Sequence, residues 1–408
     1  MSMLSRQAHR LIWQRLPQHF RRSALFGASA VLAPRPSRNS QAGEPVIIAG
    51  AFSTASGLGQ SARLCHDALK ASGVAVQGID LSADLMQPSD SPGFAFADGR
   101  RCIGSGTLIL FVNAPLVPLA MLRLGHRAVR DKKIIGYWAW ELPALPDDWR
   151  HGFPFVHEIW TPTRYVAGAV QDLARGHPVH VVPYPVMQNA PYRGVFKRDR
   201  GAPFTVVTIL NVASSFARKN PCASIAAFRT AFGDDPATRL IVKLANLSNY
   251  PDGKTLIERA VGSAANISVI DRIMTDAELD GLYQQADTVL SLHRSEGFGL
   301  TLAEAMGRGI PVVATDWSGN TDFLTRETGC PVPCTLVPAC DPQATYNYPD
   351  MMWAEADVGQ AALALQRLRD SPALAEAFGK AGADFASRTW STDSFTRSVR
   401  SHMGTLSE

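Results

Sequence analysis

Short apolar runs alternate with longer mixed stretches along most of the chain after residue 43. In the first half, such runs predict buried strands at residues 46–50, 107–112, 133–138, 158–161 and 180–182. A segment rich in proline and charge follows at residues 183–203. In the second half, apolar runs predict strands at residues 204–210, 240–244, 267–270, 288–292 and 311–314. Strands that are apolar throughout indicate parallel sheets covered on both faces.

Helices are predicted between and after these strands. They are expected at residues 60–71, 221–232, 276–285, 300–308, 354–369 and 372–388, with a last one from about residue 392. The alternation predicts an α/β fold of two doubly wound Rossmann-like domains that face each other across a cleft. We place these domains at residues 44–190 and 191–390. A final helix at residues 391–408 either stays with the second domain or crosses back to the first.

The length and composition fit a soluble globular protein with two domains. The 408 residues are 46% hydrophobic and 19% charged, which allows two sizeable cores. Six cysteines are scattered, and the last three are spaced C-x3-C-x5-C without histidine partners. We interpret all six as reduced thiols of a cytoplasmic protein, and we expect no nucleic-acid partner.

Residues 1–43 form a basic tail. Seven arginines and no acidic residue precede Glu44, whereas the whole chain has a net charge of only +4. Apolar residues recur every four positions from Leu4 to Phe20, the pattern of an interfacial amphipathic helix, although Pro17 would interrupt it. The tail fits peripheral docking on an anionic membrane surface and fits a disordered basic segment equally well. An organellar targeting peptide is a third alternative.

Residues 288–324 carry the strongest chemical pattern in the chain. A buried strand leads into a glycine-containing turn, and a helix is predicted directly after it. The N-terminus of such a helix exposes free backbone N–H groups, which favour an anionic ligand. Glu296 in the turn and Glu304 on the helix stand eight positions apart. Their carboxylates are suited to accept hydrogen bonds from sugar hydroxyls.

The string SEGFGLTLAEAMGRGIPVVAT within this segment resembles the E-x7-E region of retaining GT-B glycosyltransferases, glycosyltransferase family 4 in particular. The resemblance implies that Glu296 contacts the donor sugar and that Glu304 holds the ribose of the nucleotide. It also implies that the backbone amides around Phe298, Gly299 and Leu300 face the diphosphate.

Two adjacent cations precede another predicted helix, in the string LNVASSFARKNP at residues 210–221. Lys219 matches the lysine with which family members bind the donor diphosphate. Arg218 is a candidate replacement for the family arginine, which usually stands several residues away from the lysine. His293 ends the strand before the Glu296 turn, so the same assignment places it near the donor sugar. We therefore class His293 and Glu296 as candidate catalytic residues.

The first half of the chain contributes looser motifs. Gly57 and Gly59 follow the first strand and resemble the N-terminal glycine loop, whose amides approach the donor phosphate or the acceptor. The string GYWAWELPALPDDW, residues 136–149, resembles motifs of bacterial enzymes that build surface polysaccharides. Within it, Trp138, Trp140 and Glu141 are candidates for an acceptor-side sugar platform. Tryptophans are also good core residues, so both interpretations stay open.

The resemblance implies a retaining hexosyltransferase of GT-B fold that acts in polysaccharide biosynthesis. It implies a nucleotide diphosphate sugar as donor substrate, with mannose slightly preferred, and a saccharide or lipid-linked saccharide as acceptor. No cofactor is expected. No D-x-D motif occurs, and Glu355-Ala356-Asp357 is the nearest approximation, so no metal site is predicted. A GT-B nucleotide-sugar epimerase and a non-catalytic sugar-nucleotide-binding module remain as alternatives.

Overall fold

The N-terminal half contains a six-stranded parallel sheet. In the computed structural model of the protein, residues 26–91, 93–189 and 201–404 are described. The strands are β1 (Val46–Gly50), β2 (Val76–Asp80), β3 (Thr107–Phe111), β4 (Lys133–Tyr137), β5 (Glu158–Thr161) and β6 (Val179–Val181), in the spatial order β2-β1-β3-β4-β5-β6. The helices are α1 (Gly57–Ala71), α2 (Val117–Leu124), α3 (His126–Val129) and α4 (Arg164–Ala174). A helical segment at residues 26–32 precedes β1.

The C-terminal half contains a second six-stranded parallel sheet. Its strands are β7 (Phe204–Ile209), β8 (Thr238–Leu244), β9 (Ile267–Asp271), β10 (Thr288–Ser291), β11 (Val312–Thr315) and β12 (Cys330–Val332), in the spatial order β12-β11-β10-β7-β8-β9. The helices around it are α5 (Phe216–Lys219), α6 (Pro221–Phe232), α7 (Asp252–Val261), α8 (Asp276–Gln284) and α9 (Leu300–Gly307). The predicted α/β architecture of two parallel sheets is confirmed.

Burial on both faces explains why the central strands are apolar throughout. Val46 and Ile48 of β1 point into one hydrophobic cluster, whereas Ile47 and Ala49 point into another on the opposite face. All five residues of this strand are buried. Such a strand has no polar face, which is the expected pattern for a parallel sheet covered by helices.

A two-stranded antiparallel hairpin follows the second sheet, and the sequence pattern does not predict it. Its strands are β13 (Cys334–Pro338) and β14 (Met352–Ala356). The prediction of a helix from residue 354 was therefore wrong, because α10 (Val358–Asp370) begins only after β14. The side chain of Asp357 marks that start, since its Oδ1 accepts a hydrogen bond from the amide of Gln360 at 3.0 Å.

The last two helices connect the halves of the molecule. Helix α11 (Pro372–Thr389) packs on α9, and a Cβ on Gly379 would lie 2.1 Å from the carbonyl oxygen of Gly309. Helix α12 (Thr392–Met403) then crosses to the N-terminal half. There the hydroxyl groups of Thr396 and Ser72 lie 2.8 Å apart, and Ser72 directly follows α1.

Two predictions fall on residues outside the described parts of the chain. The amphipathic helix expected at residues 4–20 is one of them, and most of the linker expected at residues 183–203 is the other. Within the described residues, none of the helices combines the length and the apolar character that crossing a membrane requires.

Candidate active site

The turn that carries Glu296 is fixed by backbone contacts with the loop after β11. The amide of Glu296 donates to Ser318 Oγ at 2.8 Å, and the amide of Gly319 donates to the carbonyl of Glu296 at 2.9 Å. A Cβ on Gly319 would lie 2.3 Å from the carbonyl oxygen of Gly297, so only glycine fits this approach. The backbone of Glu296 is therefore held in one position before α9 begins.

The N-terminus of α9 presents backbone amides that no side chain caps. Gly299 is the cap residue, with a left-handed φ of +93° and no side-chain hydrogen bond. The preceding Phe298 is buried against Tyr184, Phe323 and Trp390, which anchors the turn in the core. The predicted diphosphate-facing amides at Phe298, Gly299 and Leu300 thus lie at a rigid and uncapped helix start.

Glu296 forms ion pairs with both predicted cations. Lys219 Nζ donates to Glu296 Oε1, and Arg218 Nη1 lies 3.3 Å from Glu296 Oε2. Burial alone would raise the pKa of Glu296, but Lys219 and Arg218 outweigh it and lower this pKa to about 2. Burial lowers the pKa of the Lys219 ammonium, and Glu296 opposes that shift. The carboxylate is therefore ionised at neutral pH.

Arg218 and Lys219 are adjacent in sequence but differ in their surroundings. The Arg218 side chain is 2% exposed, its Nη1 donates to the carbonyl of Ser295 at 2.6 Å, and its Nε and Nη2 both donate to the carbonyl of Ser214. The Lys219 side chain retains 19% exposure. Lys219 is thus the more accessible cation, and a direct contact of Arg218 with a diphosphate stays a prediction.

His293 is fully buried next to the Glu296 turn. Its Nδ1 lies 3.1 Å from Ser291 Oγ, and its Nε2 lies 2.9 Å from Asn320 Oδ1. Burial lowers the pKa of His293, so the ring is neutral at pH 7. In this arrangement the ring connects β10 to the loop after β11, which in turn contacts the Glu296 turn. The predicted catalytic role of His293 stays a prediction.

Glu304 lies on α9, two turns after Glu296, and is bound by a residue that the sequence does not single out. The hydroxyl of Tyr283 on α8 donates to Glu304 Oε2 at 2.8 Å. The guanidinium of Arg308 lies 4.5 Å from the centre of the Tyr283 ring. Burial raises the pKa of Glu304, and the hydrogen bond from Tyr283 opposes that shift. A tyrosine on a helix with many polar residues has no signal that distinguishes it from a core residue.

The two candidate glycines lie in the first turn of α1 rather than in a loop, so the helix starts three residues before the predicted position. A Cβ on Gly59 would lie 2.5 Å from the carbonyl oxygen of Thr54, which excludes any other residue. A Cβ on Gly57 would lie 3.9 Å from the Leu300 side chain, across the cleft. Asn211 Nδ2 also donates to the carbonyl of Ala55 at 2.8 Å. The start of α1 therefore faces the start of α9.

The tryptophans proposed as a sugar platform are core residues. Trp138 has no exposed surface and packs edge-on against Trp149 and Phe153. Trp140 is 6% exposed, and its Nε1 donates to the carbonyl of Ala144 at 2.8 Å. Neither ring offers a free face, so the stacking role predicted for them is not supported. Their proximity to an acceptor stays a prediction.

Glu141 and its neighbours instead connect the two halves of the molecule. Ser295 Oγ donates to the carbonyl of Glu141, and Thr163 Oγ1 donates to the carbonyl of Gly297 at 2.8 Å. The Glu296 turn therefore lies where the two sheets' carboxyl-end loops meet. Open α/β sheets bind ligands at this edge.

A protein-family model matches most of the C-terminal half. Residues 196–344 match the family described as "Glycosyl transferases group 1". These residues form a glycosyl transferases group 1 domain. The domain includes Lys219, Glu296 and Glu304.

Two curated relatives match short stretches of the chain. The UDP-N-acetylglucosamine–peptide N-acetylglucosaminyltransferase GtfA subunit of Streptococcus pneumoniae is 47% identical over 49 residues, which are 12% of this chain and 10% of that protein. The lipopolysaccharide core biosynthesis mannosyltransferase LpsB of Rhizobium meliloti is 39% identical over 71 residues, 16% of this chain and 20% of that protein. The chain thus matches between a tenth and a fifth of the length of these relatives.

Solved structures share the fold over most of the chain. The sucrose-phosphate synthase of Thermosynechococcus elongatus aligns with a TM-score of 0.63 at 15% identity, covering 88% of this chain and 98% of that chain. Anabaena HepE in complex with UDP and glucose aligns with a TM-score of 0.60 at 11% identity, covering 88% and 99%. TarM of S. aureus aligns with a TM-score of 0.51 and is covered over 55% of its chain. The predicted GT-B fold is therefore confirmed.

Proposed function

We propose that the protein is a retaining glycosyltransferase that moves a hexose from a nucleotide diphosphate sugar to a saccharide or lipid-linked saccharide. The observation that carries the proposal is the ion pair of Lys219 with Glu296, three residues before the uncapped N-terminus of α9 at Gly299. Glu304 lies farther along the same helix. The group 1 domain contains all of these groups.

Transfer of the sugar needs positive charge where the departing diphosphate becomes more negative. The Lys219 ammonium and the first amides of α9 supply that charge without further rearrangement of the backbone. Arg218 supports them by holding Ser295 and Glu296 in place. Glu304, positioned by Tyr283, accepts hydrogen bonds from the ribose hydroxyls.

Glu296 is the catalytic carboxylate of this proposal. Its depressed pKa keeps it ionised, so it can orient a sugar hydroxyl and stabilise positive charge that develops on the sugar ring. A double displacement with Glu296 as nucleophile and a front-face departure and attack both retain the configuration. Resemblance to family 4 favours the front-face path, in which Glu296 orients the donor.

The donor base and sugar require a direct test, because the similar proteins differ. The GtfA subunit is described with UDP-N-acetylglucosamine, LpsB is a mannosyltransferase, and HepE was solved with UDP and glucose. We slightly prefer mannose. We further propose that the enzyme works in the cytoplasm, at a membrane surface that carries a lipid-linked acceptor.

The test is a thermal-shift panel of UDP-glucose, UDP-N-acetylglucosamine and GDP-mannose, run without added acceptor. We expect one donor to raise the melting temperature of the wild type and to do so less in Lys219→Ala. The matched control is Lys254→Ala, a lysine on α7 whose side chain is 75% exposed. Analysis of the recovered donor separates the alternatives, because an epimerase converts the sugar without any acceptor. Absence of a shift with every sugar nucleotide would overturn the proposal.

A further inference from the structure

The loop between β13 and β14, residues 339–351, is fastened to the segment that leads into α5. We call these residues the hairpin loop. Asp341 is fully buried, and its carboxylate accepts hydrogen bonds from Ser215 Oγ at 2.8 Å and from the amide of Thr345 at 2.9 Å. Gln343 adds a bond from its Nε2 to the carbonyl of Val212 at 3.0 Å. The hairpin loop is therefore held next to Arg218 and Lys219.

Tyr346, at the centre of the hairpin loop, contacts both halves of the molecule. Its side chain is 4% exposed, and its hydroxyl donates to Glu141 Oε2 at 2.9 Å. The Arg218 guanidinium lies 5.3 Å from the centre of its ring, and the Trp140 ring lies 5.5 Å away. Burial raises the pKa of Tyr346 well above its usual value, so the hydroxyl keeps its proton and remains a donor.

These contacts form a continuous connection from the N-terminal half to the candidate catalytic carboxylate. Glu141 binds Tyr346, the Tyr346 ring packs on Arg218, and Arg218 holds both Ser295 and Glu296. Ser295 also donates back to the carbonyl of Glu141. Opening of the cleft would separate the Glu141 carboxylate from the Tyr346 hydroxyl, so the bond favours the closed arrangement.

We propose that Tyr346 is a positioning residue for sugar transfer, which binds Glu141 of the N-terminal half and thereby holds Arg218 and Glu296 in the reactive arrangement. This inference rests on the proposed glycosyltransferase function. Tyr346 acts through Arg218 and Glu141, whereas the proposed nucleotide contacts are Lys219, the first amides of α9, and Glu304 with its partner Tyr283. The effect of Tyr346 therefore falls on the rate of the chemical step and leaves binding of the nucleotide unchanged.

The test compares Tyr346→Phe, Glu141→Met and the double variant with the wild type, because methionine has nearly the size of glutamate but no oxygen that accepts from Tyr346. Tyr346→Phe keeps the ring beside Arg218 and removes only the hydroxyl. Three quantities are measured: hydrolysis of the donor selected by the panel, binding of UDP and GDP by calorimetry, and the melting temperature. Hydrolysis by water is used because it needs no acceptor, so an acceptor contact of Glu141 does not enter. Tyr250→Phe, at a partly exposed ring that packs on Phe216, is the neutral control.

We expect each single variant to hydrolyse the donor about ten-fold more slowly, with unchanged nucleoside diphosphate affinity. The double variant should be no slower than the slower single variant, because both changes remove the same bond. Tyr283→Phe should show the opposite pattern, with weaker nucleotide binding. If Glu141→Met folds and Tyr346→Phe does not, Glu141→Met alone must show the loss of rate without loss of affinity.

Unchanged hydrolysis in a folded Tyr346→Phe, with or without a lower melting temperature, would overturn the inference and leave Tyr346 as a core residue. The inference would also be overturned if the rate loss of the double variant equalled the product of the two single rate losses. These outcomes are distinct from failure of the proposed function, because in that case the wild type itself binds neither diphosphate and hydrolyses no donor.

Discussion

Replacement of Glu296 by glutamine gives the most informative prediction about the site. Glu296→Gln keeps the size of the side chain and removes one negative charge between Lys219 and Arg218. We expect turnover to fall sharply, because the donor sugar loses its ionised partner. We also expect UDP or GDP to bind more tightly, because Lys219 loses its ion-pair partner Glu296.

The structure gives a magnitude for the stabilisation of the Glu296 carboxylate. The pKa of Glu296 falls from 4.5 to about 2, and at about 1.4 kcal/mol for each pKa unit this amounts to about 3 kcal/mol of net stabilisation of the ionised form. For binding, Coulomb's law gives about 2 kcal/mol of repulsion for each unit of diphosphate charge, at an assumed separation of about 7 Å and an effective dielectric of 20. We therefore expect affinity for the nucleoside diphosphate to rise by about ten-fold or more.

The pH dependence has a definite sign. Because folding lowers the pKa of Glu296, its contribution to stability is present above pH 4.5 and is lost as the pH falls toward 2. The free energy of unfolding of Glu296→Gln should therefore lie about 3 kcal/mol below that of the wild type at pH 7. This difference should shrink below pH 4.5, which denaturant titrations at several pH values would measure.

Calorimetry with UDP and GDP at low ionic strength would measure the predicted gain in affinity. Lys219→Ala should change affinity in the opposite direction, since it removes the accessible cation. Glu258→Gln is the control, because that glutamate is 63% exposed on α7 and pairs with an exposed lysine in its own helix. If Glu296→Gln bound the diphosphate less tightly than the wild type, the idea that Glu296 competes for Lys219 would be refuted.

Three further predictions concern the ribose, metal ions and the tail. Glu304→Ala should weaken nucleotide binding by about 1–3 kcal/mol, and unchanged affinity would remove the ribose contact from the proposal. Activity should survive EDTA, so complete loss that manganese or magnesium restores would contradict a metal-independent reaction. The full chain should sediment with anionic liposomes and be released by salt, since each basic residue near such a surface contributes roughly 1 kcal/mol. A chain starting at Gln41 should stay in solution. Equal sedimentation of the full and shortened chains would show that the tail does not bind the membrane.

The sequence predicts those parts of the fold that depend on burial alone. The central strands β1, β7 and β10 lie close to their predicted positions, because burial on both faces requires an uninterrupted apolar run. The hairpin of β13 and β14 was missed for a physical reason. One side of the hairpin packs on the Glu296 turn. Its sequence of apolar and polar residues is therefore set by contacts with particular side chains, such as that of Arg294, which contacts Trp353 and Glu355.

Within the site, residue type was predictable but surroundings were not. Adjacent cations at Arg218 and Lys219 look equivalent in the sequence. The short helix α5 begins after Ser215, which has a left-handed φ of 79°. This local structure buries Arg218 and leaves Lys219 accessible. Trp138 and Trp140 are of the residue type that forms sugar-stacking platforms, but tertiary packing places them in the core. Tyr346 acquires its partners from segments more than a hundred residues away.

The crossing of α12 to the N-terminal half has a consequence for how the chain is made. Phe395, Val399 and Met403 of α12 share one hydrophobic cluster with Cys65 and Leu69 of α1. During synthesis on the ribosome, α1 emerges long before α12, and the part of its apolar surface that α12 covers stays exposed to water until α12 has been translated. The N-terminal half made alone would keep that part exposed. A product truncated before α12 therefore carries an apolar surface of the kind that chaperones and proteases bind.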